Sequence, residues 1–495
     1  MNSPVEIPFK SFIAIDRVSN TAVYLQIATQ IINAIQRGYL VSGTRLPGSR
    51  SLANTLEVHR NTVVSSYEEL EAQGWIDILP NKGTYVAGKQ DEKPQRIKSF
   101  LQTDLAHYPA RTGFVFKKNT LLDHAVDHTN CNWAFTDGIP DVRLSQIEQL
   151  AKWYSANLKR KSSRKHLGYQ QNEGSEYFKE NLSNFLNLSR GLHISKNNIM
   201  ITRGIEMGIY IATELLVAPN DVVLVGELSY YATNMIFQKA GARLHSVPMD
   251  MEGIDVDAVR KICQTTKIRM LYLTPHHHYP TTVTLSAARR IELLHLSAQY
   301  GFIILEDDYD YDFHYNSSPI LPLASADTHG MVVYIGSFCK SLAPGFRTGF
   351  IVAPEELIRE LRKFLSIIDQ QGDVLMEGVL GEMIEEGEIH RHLKKALKVY
   401  QQRRDYFGLL LREELQPYVE FTTPTGGLAI WTQWDAKLNL MRISKECLKQ
   451  DLYLPTPLLY QSKKITAMRL GFGNFDEKEM PQLVDKLAKA VKNSL

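Results

Sequence analysis

Four short apolar runs, VVLVGE (222–227), IRMLYLTP (268–275), FIILED (302–307) and VVYIGS (332–337), recur along the chain with helix-like stretches between them. Each run is continuously apolar instead of alternating, so both of its faces are expected to be buried. Strands of that kind belong to a parallel sheet covered by helices on both sides. SAARRIELLHLSAQYG (286–301) is one of the intervening helical stretches. From about residue 133 onward the pattern restricts the chain to an α/β domain with a mostly parallel, mostly buried sheet. No internal repeat or low-complexity tract interrupts it.

The first ninety residues read differently. TAVYLQIATQIINAIQR (21–37) places Leu25, Ile27, Ile31, Ile32 and Ile35 at helical spacing, and Gly38 and Gly43 break it. SRSLANTLE (49–57) reads as a second short helix with Ser49 as its cap. HRNTVVSSYEELEAQGW (59–75) reads as a third, ended by Gly74. WIDILP and TYV then flank Asn81-Lys82-Gly83, a hairpin signal. Three helices and a hairpin make a winged helix-turn-helix. GKQDEKPQRIKS and HYPARTG that follow are polar and rich in turn formers, the composition of a linker. The expected division is therefore a winged helix-turn-helix over 1–88, a linker over 89–130 and the α/β domain over 131–495.

A chain of 495 residues is long enough for more than one core. Its formal net charge is only +2, so any nucleic-acid contact must rest on local positive charge. The four cysteines lie far apart with no C-x-x-C pair, which argues against a zinc knuckle or a disulfide framework and fits a reducing cytoplasm. MNSPVEIPFKSF lacks a signal-peptide pattern, and no apolar run is long enough to span a membrane. Cytoplasmic location without membrane attachment is the expectation. His276, His277 and His278 invite a metal reading. Neighbours on a strand point to opposite faces, however, so three in a row cannot serve one ion, and no metal is expected.

LPGSRSLA (46–53), HRNTVVSSYEELEAQGW (59–75) and NKGTYV (81–86), in that order, resemble the GntR family of bacterial winged-helix regulators. The resemblance implies binding of a double-stranded DNA operator. The second helix of such a motif enters the major groove with its amino-terminal residues facing base edges. Those residues here are His59, Arg60, Asn61 and Thr62. Arginine pairs bidentately with guanine and asparagine with adenine. Arg50 is placed to reach phosphate or groove, and Arg45 and Lys82 are further candidates for phosphate contact, Lys82 at the wing tip. Val64 stands where related members often carry another arginine.

FTDGIPDVRL (135–144), HLGYQQNEG (166–174), ITRGIEMGI (201–209), TPHHHYPTT (274–282), EDDYD (306–310), GSFCKSLAPGFR (336–347), TPTGGLAIW (423–431) and AMRLGF (467–472) resemble fold-type I aminotransferases of class I and II. Fused to a GntR-like reader, the whole resembles the MocR subfamily. The resemblance implies pyridoxal 5'-phosphate (PLP) held as a Schiff base on Lys340. Asp307 would pair with the pyridine nitrogen, with Asp308 the alternative. Tyr309 would donate to the ring oxygen, and His277 or His278 would approach it. Tyr231 would stack on the ring. Ser337, Arg347 and the backbone of Gly204, Ile205 and Glu206 at a helix start would hold the phosphate. Glu206 is unusual beside a dianion, so only its backbone is assigned. Arg469 would grip the carboxylate of an amino acid. Cys339 and Thr282 replace a common serine and glycine, and Thr233 replaces an arginine found in some relatives.

The function so implied is a PLP-dependent transcriptional regulator. A small amine or amino acid effector would form an external aldimine and thereby change DNA binding. A homodimer is expected, because fold-type I sites usually form between subunits. The second reading is a working transaminase that carries a DNA-binding module.

Overall fold

The computed structural model describes residues 9–19, 21–80, 82–87, 111–116, 118, 129–161, 168, 174–315 and 319–495. The chain divides into two compact units, Met1–Val115 and Phe116–Leu495. Asn81, most of the expected linker and most of HLGYQQNEG lie outside the described residues.

The small unit runs α1 (Phe9–Phe12), α2 (Val23–Gln36), β1 (Arg45–Leu46), α3 (Ser49–Leu56), α4 (Arg60–Ala72), β2 (Ile76–Leu79) and β3 (Gly83–Val86). Its core is Ile27, Ile31, Leu52, Val63, Leu70, Ile76 and Val86, contributed by every helix of the motif and by the hairpin. Ser66 Oγ donates to the Tyr24 carbonyl at 3.0 Å, and Tyr67 Oη to the Pro47 carbonyl at 2.7 Å; both fix α4 against the rest. Two readings need correction. Ser49 is the first residue of α3, not its cap; Gly48 holds that position without a side-chain bond. The wing has a third strand, since β1 pairs with β3 in the order β1-β3-β2. Two residues carry no periodicity, so the sequence could not signal β1.

The large unit opens with β4 (Trp133–Ala134), α5 (Ile147–Lys159), α6 (Glu176–Arg190), β5 (Ile199–Thr202), α7 (Ile205–Leu216), β6 (Val222–Gly226), α8 (Tyr231–Lys239) and β7 (Arg243–Val247). It continues through β8 (Met249–Asp250), β9 (Gly253–Ile254), α9 (Val256–Thr265), β10 (Met270–Leu273), α10 (Ala287–Tyr300), β11 (Ile303–Asp308), α11 (Leu323–Ala326), β12 (Val332–Ser337) and β13 (Gly349–Val352). It closes with α12 (Glu355–Ile368), α13 (Val374–Glu385), α14 (Glu388–Leu415), β14 (Val419–Glu420), β15 (Ala429–Trp434), α15 (Leu440–Lys449), β16 (Leu452–Tyr453), β17 (Leu459–Gln461), β18 (Thr466–Gly471) and α16 (Met480–Lys492).

Seven strands form the main sheet in the order β5-β13-β12-β11-β10-β6-β7. Only β13 runs antiparallel to its neighbours. Leu305, Val223, Ile335 and Tyr272 face α7 and α8, while Ile304, Leu224 and Leu271 face α9 and α10. Helix ends follow local chemistry. Ser286 accepts from the Arg289 N–H to start α10, and Gly301 at φ +73° ends it. A second, antiparallel sheet, β14-β15-β18-β17, lies in the carboxyl-terminal part and carries Arg469 opposite Trp431.

Candidate functional site

Strand β11 ends in three consecutive acids, and the pleat separates them. Asp307 shares a face with Leu305, whereas Glu306 and Asp308 share the other face with Ile304. Asp308 is surrounded there. Tyr334 Oη donates to it, His276 Nδ1 lies 3.2 Å away and Arg190 Nε 3.8 Å away. Burial alone would raise the Asp308 carboxyl, but these neighbours together hold it at about 2. Asp307 has one partner, the Tyr272 hydroxyl at 2.7 Å, and its Oδ1 has no hydrogen bond among the described residues. Burial pushes the Asp307 carboxyl up to about 7. Asp308 Oδ1 is likewise without a hydrogen bond, but Asp308 has Arg190 and His276 nearby, whereas Asp307 has no ion-pair partner among the described residues.

That raised value has a measurable consequence. Folding holds the Asp307 proton more tightly than the unfolded chain does. Its stabilising contribution is therefore full below the ordinary carboxylate value and is lost as pH rises to about 7. In the protein stripped of cofactor, Asp307→Asn is expected to flatten the fall in melting temperature between about pH 5 and pH 7. A difference on the order of 2 kcal/mol in the pH-dependent part corresponds to that span. Superimposable pH profiles for the two proteins would contradict the assignment.

Lys340 lies in the turn after β12. The turn is held by Leu342 N–H to the Phe338 carbonyl at 2.9 Å and by Ser341 Oγ to Asp312 at 2.6 Å. Lys340 Nζ makes no hydrogen bond among the described residues and sits 4.4 Å from the centre of the Tyr309 ring. Desolvation lowers its affinity for a proton and Arg469 adds to this, against the pull of Asp137, Asp310 and Asp307. The result favours the uncharged amine that attacks a carbonyl. Tyr309 Oη donates to the His277 carbonyl at 2.6 Å.

Arg469 is almost wholly buried. Nε donates to the Asp137 carbonyl at 2.8 Å, Nη1 to the Pro280 carbonyl at 2.8 Å, and Nη2 lies 3.4 Å from the Tyr309 hydroxyl. The fork is thus fixed by main chain, which preorganises its remaining donors. Tyr279 lies under it at 4.7 Å, in ring contact with Tyr230 at 4.9 Å. Tyr230 in turn touches Tyr231, the first residue of α8, at 5.3 Å.

A third cluster gathers where β5 meets α7. Gly204, at φ +94°, caps α7 without a side chain, and a Cβ there would meet Arg347 Nη2 at 2.9 Å. Only glycine fits that conformation and that gap. Arg347 Nη2 donates to the Arg203 carbonyl at 3.1 Å and to Glu206 Oε2 at 3.0 Å. Cys339, beside Lys340, also bonds Ser337. The first N–H groups of α7, from Ile205 and Glu206, lie outside helical bonding.

The three histidines sit on a bend after β10, not on a regular strand. They turn to different partners: His276 to Asp308 and the Ile320 carbonyl, His277 to Asp310 at 2.9 Å, and His278 to Thr281 at 2.8 Å. His278 was expected near the cofactor ring. Its Nδ1 faces Thr281 and its Nε2 faces the Leu228 carbonyl, so the ring secures this loop. Burial and Arg469 depress it to about 3, so it stays neutral. Several residues went unnoticed in the sequence. They are Tyr272, which orients Asp307; Tyr334 and Arg190, which occupy Asp308; and Tyr279 and Tyr230, which wall the site. Thr233 Oγ1 lies 3.4 Å from the Tyr272 hydroxyl, which places it behind Asp307.

In the small unit, His59 caps α4, its Nδ1 accepting from the Asn61 N–H at 3.4 Å. Arg60 and Asn61 are exposed at the start of α4, and Thr62 is half-buried. Arg45, Arg50 and Lys82 are exposed as well, and none of these cations forms an ion pair among the described residues. Arg45 lies against the wing, its Nε 3.0 Å from where a Cβ on Gly83 would stand.

Comparison with known proteins agrees with this division. The family model for aminotransferase class I and II matches residues 136–487, and that for bacterial regulatory proteins of the gntR family matches residues 23–86. The chain is 24% identical over 487 residues to the probable rhizopine catabolism regulatory protein MocR of Rhizobium meliloti, covering 97% of this chain and 95% of that one. It is 27% identical over 465 residues to the uncharacterized HTH-type transcriptional regulator YisV of Bacillus subtilis, covering 92% and 93%. Among solved structures, a kynurenine aminotransferase of Pyrococcus horikoshii, in complex with PMP, superposes with a TM-score of 0.69. It is 26% identical, with 77% of this chain and 97% of that one covered.

Proposed function

Because the chain belongs to the class I and II aminotransferase family and carries a gntR-family DNA-binding module ahead of that domain, as MocR-type regulators do, we propose that it is a PLP-dependent transcriptional regulator responding to a small amine or amino acid. The observations that carry this reading occur together in one chain: a recognition helix that opens on exposed Arg60, and Lys340, without a hydrogen bond among the described residues and within the electrostatic reach of buried Asp307, whose Oδ1 has no partner among them.

The residues present fit the cofactor. Asp307 Oδ1, without a partner among the described residues, would accept from a pyridinium N–H, and the Tyr272 hydroxyl holds the other carboxylate oxygen. Asp308 Oδ1 also has no hydrogen bond among the described residues, but Asp308 already has His276 and Arg190 beside it, which makes Asp307 the better candidate for that role. Arg347, Ser337 and the start of α7 supply donors for the phosphate. Tyr231, in ring contact with Tyr230, would supply an aromatic face for the cofactor ring, and Tyr309 lies with its ring against Lys340 Nζ. PLP, when bound, would supply a carbonyl carbon that exchanges one primary amine for another and a ring that draws electrons from the α-carbon of the attached amine.

What the chain contributes is positioning. Lys340, whose hold on its proton is weakened by burial, would be the amine that another amine displaces. Arg469, held by two main-chain carbonyls, orients the carboxylate of an amino acid with its remaining donors. Such exchange changes operator occupancy only if the ligand binds the DNA-competent and DNA-incompetent forms of the protein unequally. The reader acts as a homodimer, and two readers require an operator with two half-sites.

The second reading, a working transaminase, is favoured by the retention of Lys340, Asp307, Tyr309 and Arg469 together. One experiment separates them. Primary amines and amino acids are added to the purified PLP-loaded protein while its absorbance is followed and keto acid is assayed. The regulator is expected to give a stable spectral change with altered DNA affinity and no accumulating keto acid. Stoichiometric keto acid with pyridoxamine phosphate would replace the proposal with the transaminase.

A further inference from the structure

Glu206 carries a negative charge into the one place where the cofactor reading requires a dianion to be welcomed. Its carboxylate sits in the first turn of α7, and its Oε2 accepts from Arg347 Nη2 at 3.0 Å. The same Arg347 nitrogen also donates to the Arg203 carbonyl at 3.1 Å. Gly204 lies directly beneath this pair: a Cβ built on it would stand 2.9 Å from Arg347 Nη2 and 3.2 Å from Glu206 Oε2. The guanidinium, the carboxylate and the helix start thus share one small volume. We propose that Glu206 sets the affinity for PLP by competing with the cofactor phosphate for Arg347, which keeps occupancy of Lys340 graded with cofactor concentration.

This rests on the reading of Arg347 as a phosphate ligand. The physics is that of two anions and one cation. A helix start and an arginine attract a phosphate, and a carboxylate bonded to that arginine cancels part of the attraction. The side chains of Arg347 and Glu206 remain 53% and 51% exposed, so water and salt screen the repulsion and hold its effect to within about tenfold. The opposite role is also open to a carboxylate. It can hold a guanidinium in the orientation a phosphate needs, and then its loss weakens binding.

The two roles give opposite signs in one titration. Full-length protein stripped of cofactor is titrated with PLP and, in parallel, with pyridoxal, which has the aldehyde but no phosphate. Formation of the imine absorbance is the readout. Glu206→Gln and Glu206→Ala are expected to tighten PLP binding by about 2–10-fold while leaving pyridoxal binding unchanged. The gain should shrink with added salt. Unchanged or weaker PLP binding in both variants overturns the proposal, as does equal tightening for pyridoxal. Absence of the imine band in the unsubstituted protein overturns the PLP reading itself, a result distinct from either.

Discussion

Lys340→Ala protein mixed with PLP develops no imine absorbance, and its operator affinity no longer responds to any amine. The expected loss is complete for the band and at least about 100-fold in the amine concentration needed for a response, because no other described side chain stands in for this amine. The protein should still fold. Lys340 is partly exposed, and its turn is held by other groups: the Leu342 N–H on the Phe338 carbonyl, Ser341 on Asp312, and Phe338 buried against Phe178 and Phe350. A melting temperature close to that of the unsubstituted protein therefore accompanies the lost band. Retention of the band would mean that another amine carries the aldehyde.

The second large effect belongs to the reader. Arg60→Ala and Asn61→Ala are each expected to weaken operator binding by about 1–3 kcal/mol, roughly 5–150-fold, and to relax the preference at one base pair. Helix α4 is anchored through Val63, Tyr67 and Leu70, all buried, while Arg60 and Asn61 point to solvent, so neither change reaches the core. Lys82→Ala is the comparison. It should weaken all sequences alike and reduce the salt dependence by about one counterion. Binding isotherms on operator and unrelated DNA distinguish these patterns. Equal losses on both DNAs for Arg60 and Asn61 would remove them from base reading.

Much of this was legible in the sequence because the signals were long or chemically constrained. The four apolar runs became β6, β10, β11 and β12, each within two residues of its expected bounds, since burial on both faces demands continuous apolar residues. The winged helix was legible for a similar reason: three helices and a hairpin each carried their own stop signals. The third wing strand was not, because two residues show no period. Nor did the pattern disclose the separate antiparallel sheet that bears Arg469.

Within the site, residue types were legible and partners were not. Two adjacent acids look alike in a sequence, and only the pleat and the neighbours on each face tell them apart. Asp308 meets Tyr334 and His276, and Asp307 meets Tyr272 alone. All of these partners lie at least 26 residues from the acids they touch. The histidine triplet shows the converse. Its strand-based exclusion of a metal used the wrong local geometry, since the residues occupy a bend, where divergent hydrogen bonds direct each ring elsewhere.

The most direct test of the coupling is operator affinity of the PLP-loaded protein, measured as a function of added primary amine at fixed salt, with the Lys340→Ala protein run alongside. A regulator that senses through Lys340 gives a saturable shift in affinity for at least one amine or amino acid, in step with its spectral change, and none in the variant. An operator isotherm that stays fixed while the spectrum changes, or one that shifts equally in the variant, would contradict it.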